Sequence, residues 1–453
     1  MIRRWFYFLL LSAVIVSCSP QSKPKSTVGV SAQKNVISDD SLFTLIQYNT
    51  FQYFWDGAEP TSGAARERFH ADNIYPENDK HIITSGGTGF GVMAILVAIE
   101  RDFITRQQGL ERLTKLVNWL EKADRFHGVW PHWLNGETGE VKPFSPDDDG
   151  GDLVETSYLI QGLLCVRQYF KDGNGEEKAL ATKIDNLWKE VEFDWHRNGQ
   201  NVLYWHWSPK NQWKMNFPVE GYNECLIMYV LAAGSPTHTI PAEAYHEGWA
   251  RKGGMKNDPA HKQYGYHLSL RHNGAQQFGG PLFWSHYSFL GLNPKGLKDQ
   301  YADYWEHNRN HTLINRQYCI ENPKNYKGYS EACWGLTASY SMNGYAAHSP
   351  NEDLGVISPT AALSSYPYTP DESKKALRFF YDNLGKKILG SYGFYDAFSI
   401  HNNWYPTRYL AIDQGPMIVM MENHRSGLLW DLFMTCPEVK DGLKKLGFES
   451  PGL

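Results

Sequence analysis

The sequence predicts an all-α fold: an (α/α)6 toroid, in which two concentric rings of helices form a single large domain. Helix-period patterns follow one another from about residue 39 to the end, and no Pro- or Gly-rich linker divides them. Amphipathic helices alternate with helices that are apolar nearly all round, as an outer and an inner ring require. The apolar helices carry their polar residues at their beginnings. A helical solenoid is the alternative architecture: no exact repeat is present, but helix pairs recur at roughly 50 to 70 residues.

The two helix classes can be assigned along the chain. Residues 106–122 show an apolar stripe opposite Lys, Arg and Glu, and residues 176–192, 300–321 and 371–387 are similar. The apolar class comprises residues 86–99, 153–166, 226–233, 332–342 and 416–421. Further helix starts are predicted near residues 39, 219, 242, 283 and 359. Strand signals are weak and confined to residues 202–207 and 394–398.

The N-terminus predicts export and anchoring. Two early arginines precede an apolar run that is too short to span a bilayer, so residues 1–17 are typical of a signal peptide. The run ends at Ser17 and Cys18, which resembles a bacterial lipobox whose cysteine becomes lipidated. Residues 18–37 then form a polar tether before a domain at 38–453. We expect a lipoprotein of the cell envelope that faces the periplasm, with the cell surface as the alternative.

Charge and cysteine content exclude several classes. The net charge is −5 and the basic residues do not cluster, so a nucleic-acid partner is not expected. Five cysteines follow Cys18 and none forms a CxxC pair, so they are expected to pack as small core residues. No Walker loop or HExxH motif is present, and neither a cofactor nor a metal is expected. The Gly-rich run 86–91 is interpreted as allowing close helix packing or a backbone that faces a polysaccharide.

Acidic residues precede or begin several of the apolar helices. A helix start accommodates a carboxylate, so each could be only a cap. In a toroid, however, the starts of the inner helices open at the same end, so these acids should converge. Paired acids raise one another's pKa, as a proton donor at neutral pH requires. The catalytic candidates are Asp148, Asp152, Glu155, Glu220, Glu224 and Asp413.

Aromatic and polar residues are concentrated in the same loops. Aromatic side chains make up 14% of the sequence, and their faces stack well on sugar rings. Carboxylates beside such rings are typical of glycoside hydrolysis. The substrate-binding candidates are Trp130, Trp133, Trp205, Trp207, Trp284, His286, Tyr287, Glu331, Asp396, His401 and Trp404.

Three long segments carry a family resemblance: DGGDLVETSYLIQGLL, PVEGYNECLIMYVLAAGSPTH and AIDQGPMIVMMENHRSGLLWDLF. They resemble the bacterial glucoamylase-like domain of glycoside hydrolase family 144, over about residues 39–447. The resemblance implies an inverting hydrolase of β-1,2-glucan, either endo-acting or releasing sophorose. It places the acidic cluster of the family on Asp148, Asp152 and Glu155.

The acid and the base stay open at this point. The general acid is expected to be Glu220 or Glu224, and the base Asp413 or an acid of the Asp148 cluster. The alternatives are a hydrolase of another glucan such as an α-linked one, and a non-catalytic glycan-binding lipoprotein. A polysaccharide lyase or sugar epimerase on the same fold would use His or Tyr instead of two carboxylates. The expected partners are an oligo- or polysaccharide and a membrane through the lipid anchor, for a monomer.

Overall fold

The computed structural model describes residues 37–75, 79–275 and 277–453, and the predictions for the signal peptide, Cys18 and almost all of the tether lie outside them. Asp39–Leu453 forms one compact unit. Helices dominate it, as the sequence predicts. The α-helices are α1 Asp39–Trp55, α2 Ser85–Glu100, α3 Arg106–Leu120, α4 Leu153–Phe170, α5 Gly175–Lys189, α6 Leu226–Gly234, α7 Tyr304–Glu321, α8 Pro359–Leu363, α9 Pro370–Ile388, α10 Ala411–Arg425, α11 Leu428–Met434 and α12 Pro437–Lys445.

The expectation of an all-α chain is corrected by short strands. They are β1 Arg68–His70, β2 Ile82–Thr84, β3 Trp133–Asn135, β4 Val141–Lys142, β5 Gly151–Asp152, β6 His206–Trp207, β7 Lys262–Gln263, β8 Tyr266–His267, β9 Ala338–Ser341, β10 Gly344–Ala347, β11 Leu389–Gly390, β12 Gly393–Phe394 and β13 Arg408–Leu410. These strands pair with one another in antiparallel fashion, and β2, β3 and β4 form the largest sheet in the described residues. Three strands lead directly into buried helices: β2 into α2, β5 into α4 and β13 into α10.

The buried helices α2 and α4 pack very closely, because glycines face each other between them. A side chain at Gly89 would collide with the backbone of Tyr158, and one at Gly162 would collide with the carbonyl of Gly89. The packing interpretation of the Gly-rich run is therefore confirmed. Helix α3 has the predicted apolar stripe, and its start is closed by a capping box between Thr105 and Gln108.

One predicted helix is wrong. Residues 332–342 contain the strand β9, which pairs with β10 from Ala338 opposite Ala347 to Ser341 opposite Gly344. The apolar run misled the prediction because a short buried strand has no distinctive period. Gly335, at φ 125°, adopts a backbone conformation that is unsuited to a helix.

Other predicted helices are shorter than expected. The helix expected near residue 219 begins only at Leu226. The segments near 242 and 283 form single helical turns, at Ala244–Trp249 and Leu282–Ser285. None of the helices among the described residues has the length and apolar character needed to cross a membrane. The cysteines at 165, 225, 319, 333 and 436 are unpaired and buried, which confirms their expected place in the core.

Candidate active site

A pocket of about 450 Å³ opens beside the starts of the buried helices α4, α6 and α10. Carboxylates and aromatic rings line it together. The carboxylates are Glu67, Glu155 and Glu224, and the aromatic and imidazole rings are His132, Trp133, Phe144, Tyr158, Trp205, Phe283, Tyr287, Tyr340 and Tyr345. The surface therefore offers both flat apolar faces and proton-carrying groups.

Asp152 anchors one wall of the pocket. It is the N-cap of α4, where its Oδ1 accepts a hydrogen bond from the backbone N–H of Glu155 at 2.9 Å. Its Oδ2 accepts from the indole N–H of Trp205 at 2.8 Å and lies 3.0 Å from Nδ1 of His132. Because both carboxylate oxygens are occupied, Asp152 acts mainly to fix its neighbours.

Glu155 lies one helical turn further and points back toward the start of α2. Its Oε2 accepts hydrogen bonds from the backbone N–H of Gly86 at 2.8 Å and from the hydroxyl of Thr84 at 3.2 Å. A side chain at Gly86 would displace this carboxylate from its present position. Burial raises the pKa of Glu155 to about 7, against the opposing effect of His132.

His132 is a partly exposed cation among these acids. Burial alone would lower the pKa of His132, but Glu155 and Asp152 raise it to about 10. Its Nε2 lies 3.9 Å from Oε1 of Glu155. His132 thus joins the two acids and partly offsets their negative charge.

Asp148 lies in the loop before β5, next to this cluster but outside the lining of the pocket. Burial and the Asp152 carboxylate raise the pKa of Asp148 to about 7. Its Oδ1 lies 3.5 Å from Nε2 of His206, which already accepts a hydrogen bond from the backbone N–H of Gly150. Asp148, Asp152 and His132 also place possible ligand atoms within 4.8 Å of one another, although the ion pair between Asp152 and His132 already accounts for this closeness.

Glu224 lies opposite, two residues before α6. Burial raises the pKa of Glu224 to about 7. Its backbone carbonyl accepts hydrogen bonds from the hydroxyls of Tyr158 and Ser288. No other side chain of the described residues donates to its carboxylate, which therefore faces the pocket with its proton available.

Asp413 and Asp396 form a buried pair behind the pocket. Burial and the neighbouring Asp396 carboxylate raise the pKa of Asp413 well above its ordinary value, and burial also raises the pKa of Asp396. Oδ2 of Asp413 and Oδ1 of Asp396 have no ordinary donor among the described side chains and backbone amides. The remaining Oδ2 of Asp396 accepts from the backbone N–H of Tyr340 at 2.7 Å. We infer that the two carboxyl groups share one proton.

The structure separates the two glutamates that the sequence left as alternatives. Glu224 lines the pocket, whereas Glu220 lies outside it in an ion pair with Arg251 at 3.2 Å, and its side chain is 42% exposed. Glu331 is also exposed and lies away from the pocket, near Arg316 and Lys375. The expected convergence on the pocket therefore holds for Glu155 of α4 and Glu224 before α6, whereas Asp413 of α10 lies behind the pocket.

The predicted aromatic and histidine residues also fall into two groups, those that line the pocket and those that do not. Trp133, Trp205 and Tyr287 line the pocket. Trp130 and His286 are corrected: both are buried in the core, where the Trp130 indole donates to the carbonyl of Leu120 and His286 meets Ser365. The remaining predicted residues, Trp207, Trp284, His401 and Trp404, lie outside the lining of this pocket.

Several lining residues were missed by the sequence interpretation. Arg68 begins β1, which pairs with the distant strand β13, and Glu67 directly precedes it. Tyr340 and Tyr345 come from the β9–β10 hairpin. Among these residues, only Glu67 and Arg68 could have been recognised from the sequence, as adjacent charged residues in a polar segment. His132 stood in an aromatic motif, but its contacts were not foreseeable from spacing.

Comparisons with known proteins agree with this chemistry. The Glycoamylase family model matches residues 216–437. An endo-β-1,2-glucanase from Chitinophaga pinensis, solved in complex with sophorotriose and glucose, is 69% identical; the match covers 92% of this chain and 100% of that one, with a TM-score of 0.91. An exo β-1,2-glucooligosaccharide sophorohydrolase (non-reducing end) from Parabacteroides distasonis is 45% identical over 92% of this chain. This chain spans 59% of the length of that curated relative.

A more distant likeness concerns the fold alone. A mutant endo-β-1,2-glucanase from Talaromyces funiculosus, in complex with β-1,2-glucan, is 11% identical. The match covers 90% of this chain and 92% of that one, with a TM-score of 0.64. The toroid-type helical architecture is thus shared well beyond detectable sequence similarity.

Proposed function

Because the chain belongs to the glucoamylase-like family of glycoside hydrolases, family 144, we propose that it hydrolyses the β-1,2 bonds of glucan chains. The observation that carries the proposal is the 69% identity to an endo-β-1,2-glucanase over the whole of that chain. The pocket supports it independently, since it combines stacking rings with carboxyl groups whose pKa values are about 7. Such groups hold a proton near neutral pH and can release it to a leaving oxygen.

Glu224 is the proposed general acid. Its carboxyl group faces the pocket without a competing donor from another described side chain, and its raised pKa favours the protonated form before reaction. Donation of this proton to the glycosidic oxygen would break the bond as positive charge develops on the sugar ring. Glu220 is unsuited to this role because its side chain lies outside the pocket, in an ion pair with Arg251.

The Asp413 and Asp396 pair is the proposed base. Two carboxyl groups that share one proton retain about one negative charge, which can accept a proton from the attacking water. They enter from α10 and the segment before β13, whereas Glu224 enters from the start of α6. An acid and a base on separate elements are what an inverting reaction needs.

Of the Asp148 cluster, Glu155 lines the pocket and would bind the sugar, whereas Asp152 would hold its neighbours in position. Asp152 and Glu155 accept hydrogen bonds from protein groups already, so they are held in fixed positions. With His132 they form a charged cluster beside the aromatic rings, since the Trp205 indole donates to Asp152 and His132 stacks on Phe144. Trp133 and Trp205 supply the faces on which glucose units would stack.

The proposed mode of attack is endo. We infer it from the endo-β-1,2-glucanase, which is 69% identical to this chain. The second candidate is release of sophorose from the non-reducing end, which we infer from the sophorohydrolase at 45% identity. The full chain is incubated with long β-1,2-glucan, and products are separated by length over time. An endo enzyme gives a mixture of oligosaccharides early, whereas an exo enzyme gives sophorose from the first minutes.

The same assay tests the reaction itself. Polarimetry of the early products should show the anomer opposite to that of the β-linked substrate. Release of glucose from starch with no product from β-1,2-glucan would overturn the proposal in favour of an α-glucan hydrolase. Binding of the glucan without any product would favour a non-catalytic glycan-binding protein, and an unsaturated or epimerised product would favour a lyase or an epimerase.

We also propose that the described helices close into six hairpins and that the protein is a monomer.

We propose further that Cys18 anchors the protein in the cell envelope, with the periplasmic face favoured. Metabolic labelling with a fatty acid should mark the wild-type protein and not Cys18→Ala. The variant should also move from the membrane fraction to the soluble fraction. Equal labelling of both proteins would contradict the anchor.

A further inference from the structure

A second groove of about 450 Å³ lies next to the catalytic pocket. Its lining includes Tyr340, Met342, Trp404, Arg408 and Asp72. The lining combines polar and aromatic side chains, and Met342 in it is 39% exposed. This composition is that of a sugar-binding surface and differs from that of an apolar protein interface.

Strand β13 connects the groove with the pocket. Arg408 at its beginning lines the groove, whereas Leu410 at its end and Ile412 in α10 line the pocket. Alternate residues of an extended strand lie on one face, about 6.6 Å apart. The groove therefore begins about one sugar unit from the edge of the pocket.

The β9–β10 hairpin borders both cavities. Tyr340 of β9 lines the groove and the pocket alike. Its cross-strand partner Tyr345 lines the pocket, whereas Met342 in the turn lines the groove. A chain that left the pocket beneath Tyr345 would thus pass directly into the groove.

Trp404 is held in place in the groove without a stacking partner. Reciprocal backbone hydrogen bonds of 2.9 Å between Ser399 and Trp404 close the loop that carries it. No aromatic ring or cation of the described residues stacks on its indole. The adjacent Tyr405 differs, since its ring is covered by Lys387 at 4.2 Å and stacks on Phe398.

Arg408 adds unused hydrogen-bond donors. Its guanidinium lies over the Tyr340 ring, 5.3 Å from the centroid. It forms no ion pair or side-chain hydrogen bond with the described residues. Its five N–H donors are available for hydroxyl groups at the junction of the groove and the pocket.

From these contacts we propose that the groove lined by Trp404 and Arg408 is a distal binding site for the same β-1,2-glucan chain whose scissile bond lies in the pocket. The inference rests on the proposed function and deepens it. Trp404 stacks on a glucose unit beyond the catalytic subsites, and Arg408 binds the hydroxyls of the unit between. Long chains span both cavities, whereas short oligosaccharides occupy only the pocket.

The test compares substrates of two lengths. We expect Trp404→Ala to raise KM for long β-1,2-glucan about tenfold at unchanged kcat, since one lost stacking contact has about this effect. Its kcat/KM for β-1,2-linked tetrasaccharide should stay within about twofold of wild type. Trp404→Phe keeps a stacking ring and should restore most of the affinity. Trp195→Ala removes another exposed indole, away from both cavities, and is the matched control.

Each outcome decides the inference. Equal effects of Trp404→Ala on long and short substrates, or no effect on either, would overturn the distal site while the hydrolase remains. A wild-type protein that hydrolyses neither substrate would instead overturn the proposed function, and the distal site with it. Thermal melting of every variant identifies misfolding. For a Trp404→Ala protein that does not fold, the comparison is made with Arg408→Gln, which is expected to weaken only the binding of the long substrate.

Discussion

Nδ1 of His132 lies 3.0 Å from Oδ2 of Asp152, and this ion pair organises the acidic wall of the pocket. The imidazole comes from the segment before β3 and the carboxylate from the cap of α4. The imidazole of His132 also faces Glu155, so one cation compensates the negative charge of two buried acids. Several consequences can be measured.

His132→Gln should lower stability in a pH-dependent way. The pKa of His132 is raised from about 6.5 in the unfolded chain to about 10 in the folded protein, so its contribution is complete below pH 6.5 and is lost as pH rises through 10. We expect the wild type to exceed the variant by roughly 3 kcal/mol at pH 6, with the partial exposure of the ring discounted. Urea denaturation from pH 6 to pH 10 measures this difference. His127→Gln, which breaks a histidine–carboxylate pair outside the pocket, is the control, and a difference that grew with pH would contradict the argument.

Glu224→Gln should abolish most of the activity. The amide cannot donate the proton that the glycosidic oxygen needs, so kcat on β-1,2-glucan should fall about a thousandfold. Glu220→Gln is the matched control four residues away, and its loss of a half-exposed ion pair should change kcat less than about twofold. Reducing-end assays on both variants give the comparison. The reverse ranking would move the acid to Glu220.

Asp396→Asn should shift the pH profile. The neighbouring Asp396 raises the pKa of Asp413, in addition to burial, so its replacement lets that pKa fall. If Asp413 is the base, the acidic limb of kcat/KM should move to lower pH by about one unit. Ser358→Ala removes a hydrogen bond to the Asp396 carbonyl without changing charge and should leave the limb in place. An acidic limb that stays fixed in Asp396→Asn would place the base in the Asp148 cluster.

Gly89→Ala should destabilise the helical core. The new methyl group would meet the backbone of Tyr158 in α4, which cannot give way as a side chain can. We expect a loss of about 1–3 kcal/mol in the free energy of unfolding. Gly175→Ala, at a helix start with open space around it, should instead gain up to about 1 kcal/mol. Equal changes in the urea midpoint of the two variants would show that helix contact is not the cause.

The sequence by itself determined the helix classes, the acids at the helix starts and the family. Asp152 and Glu155 could be placed together because three residues along one helix bring side chains to the same face. Glu220 and Glu224 look equivalent in the sequence, and only the fold shows that one faces the pocket and the other faces Arg251. The error at residues 332–342 has a similar origin, since a short buried strand and a buried helix share the same composition.

Only the tertiary structure shows which residues that are distant in the sequence come into contact. Glu67 reaches the pocket because β1 pairs with β13 across about three quarters of the chain, and Asp396 meets Asp413 across a loop that no periodicity describes. Helical and strand periods report which face of an element is buried and contain no information about its partner. The ion pair between His132 and Asp152 depends on such a partnership. The sequence supplied both residues, and the packing of separate segments brought them to 3.0 Å.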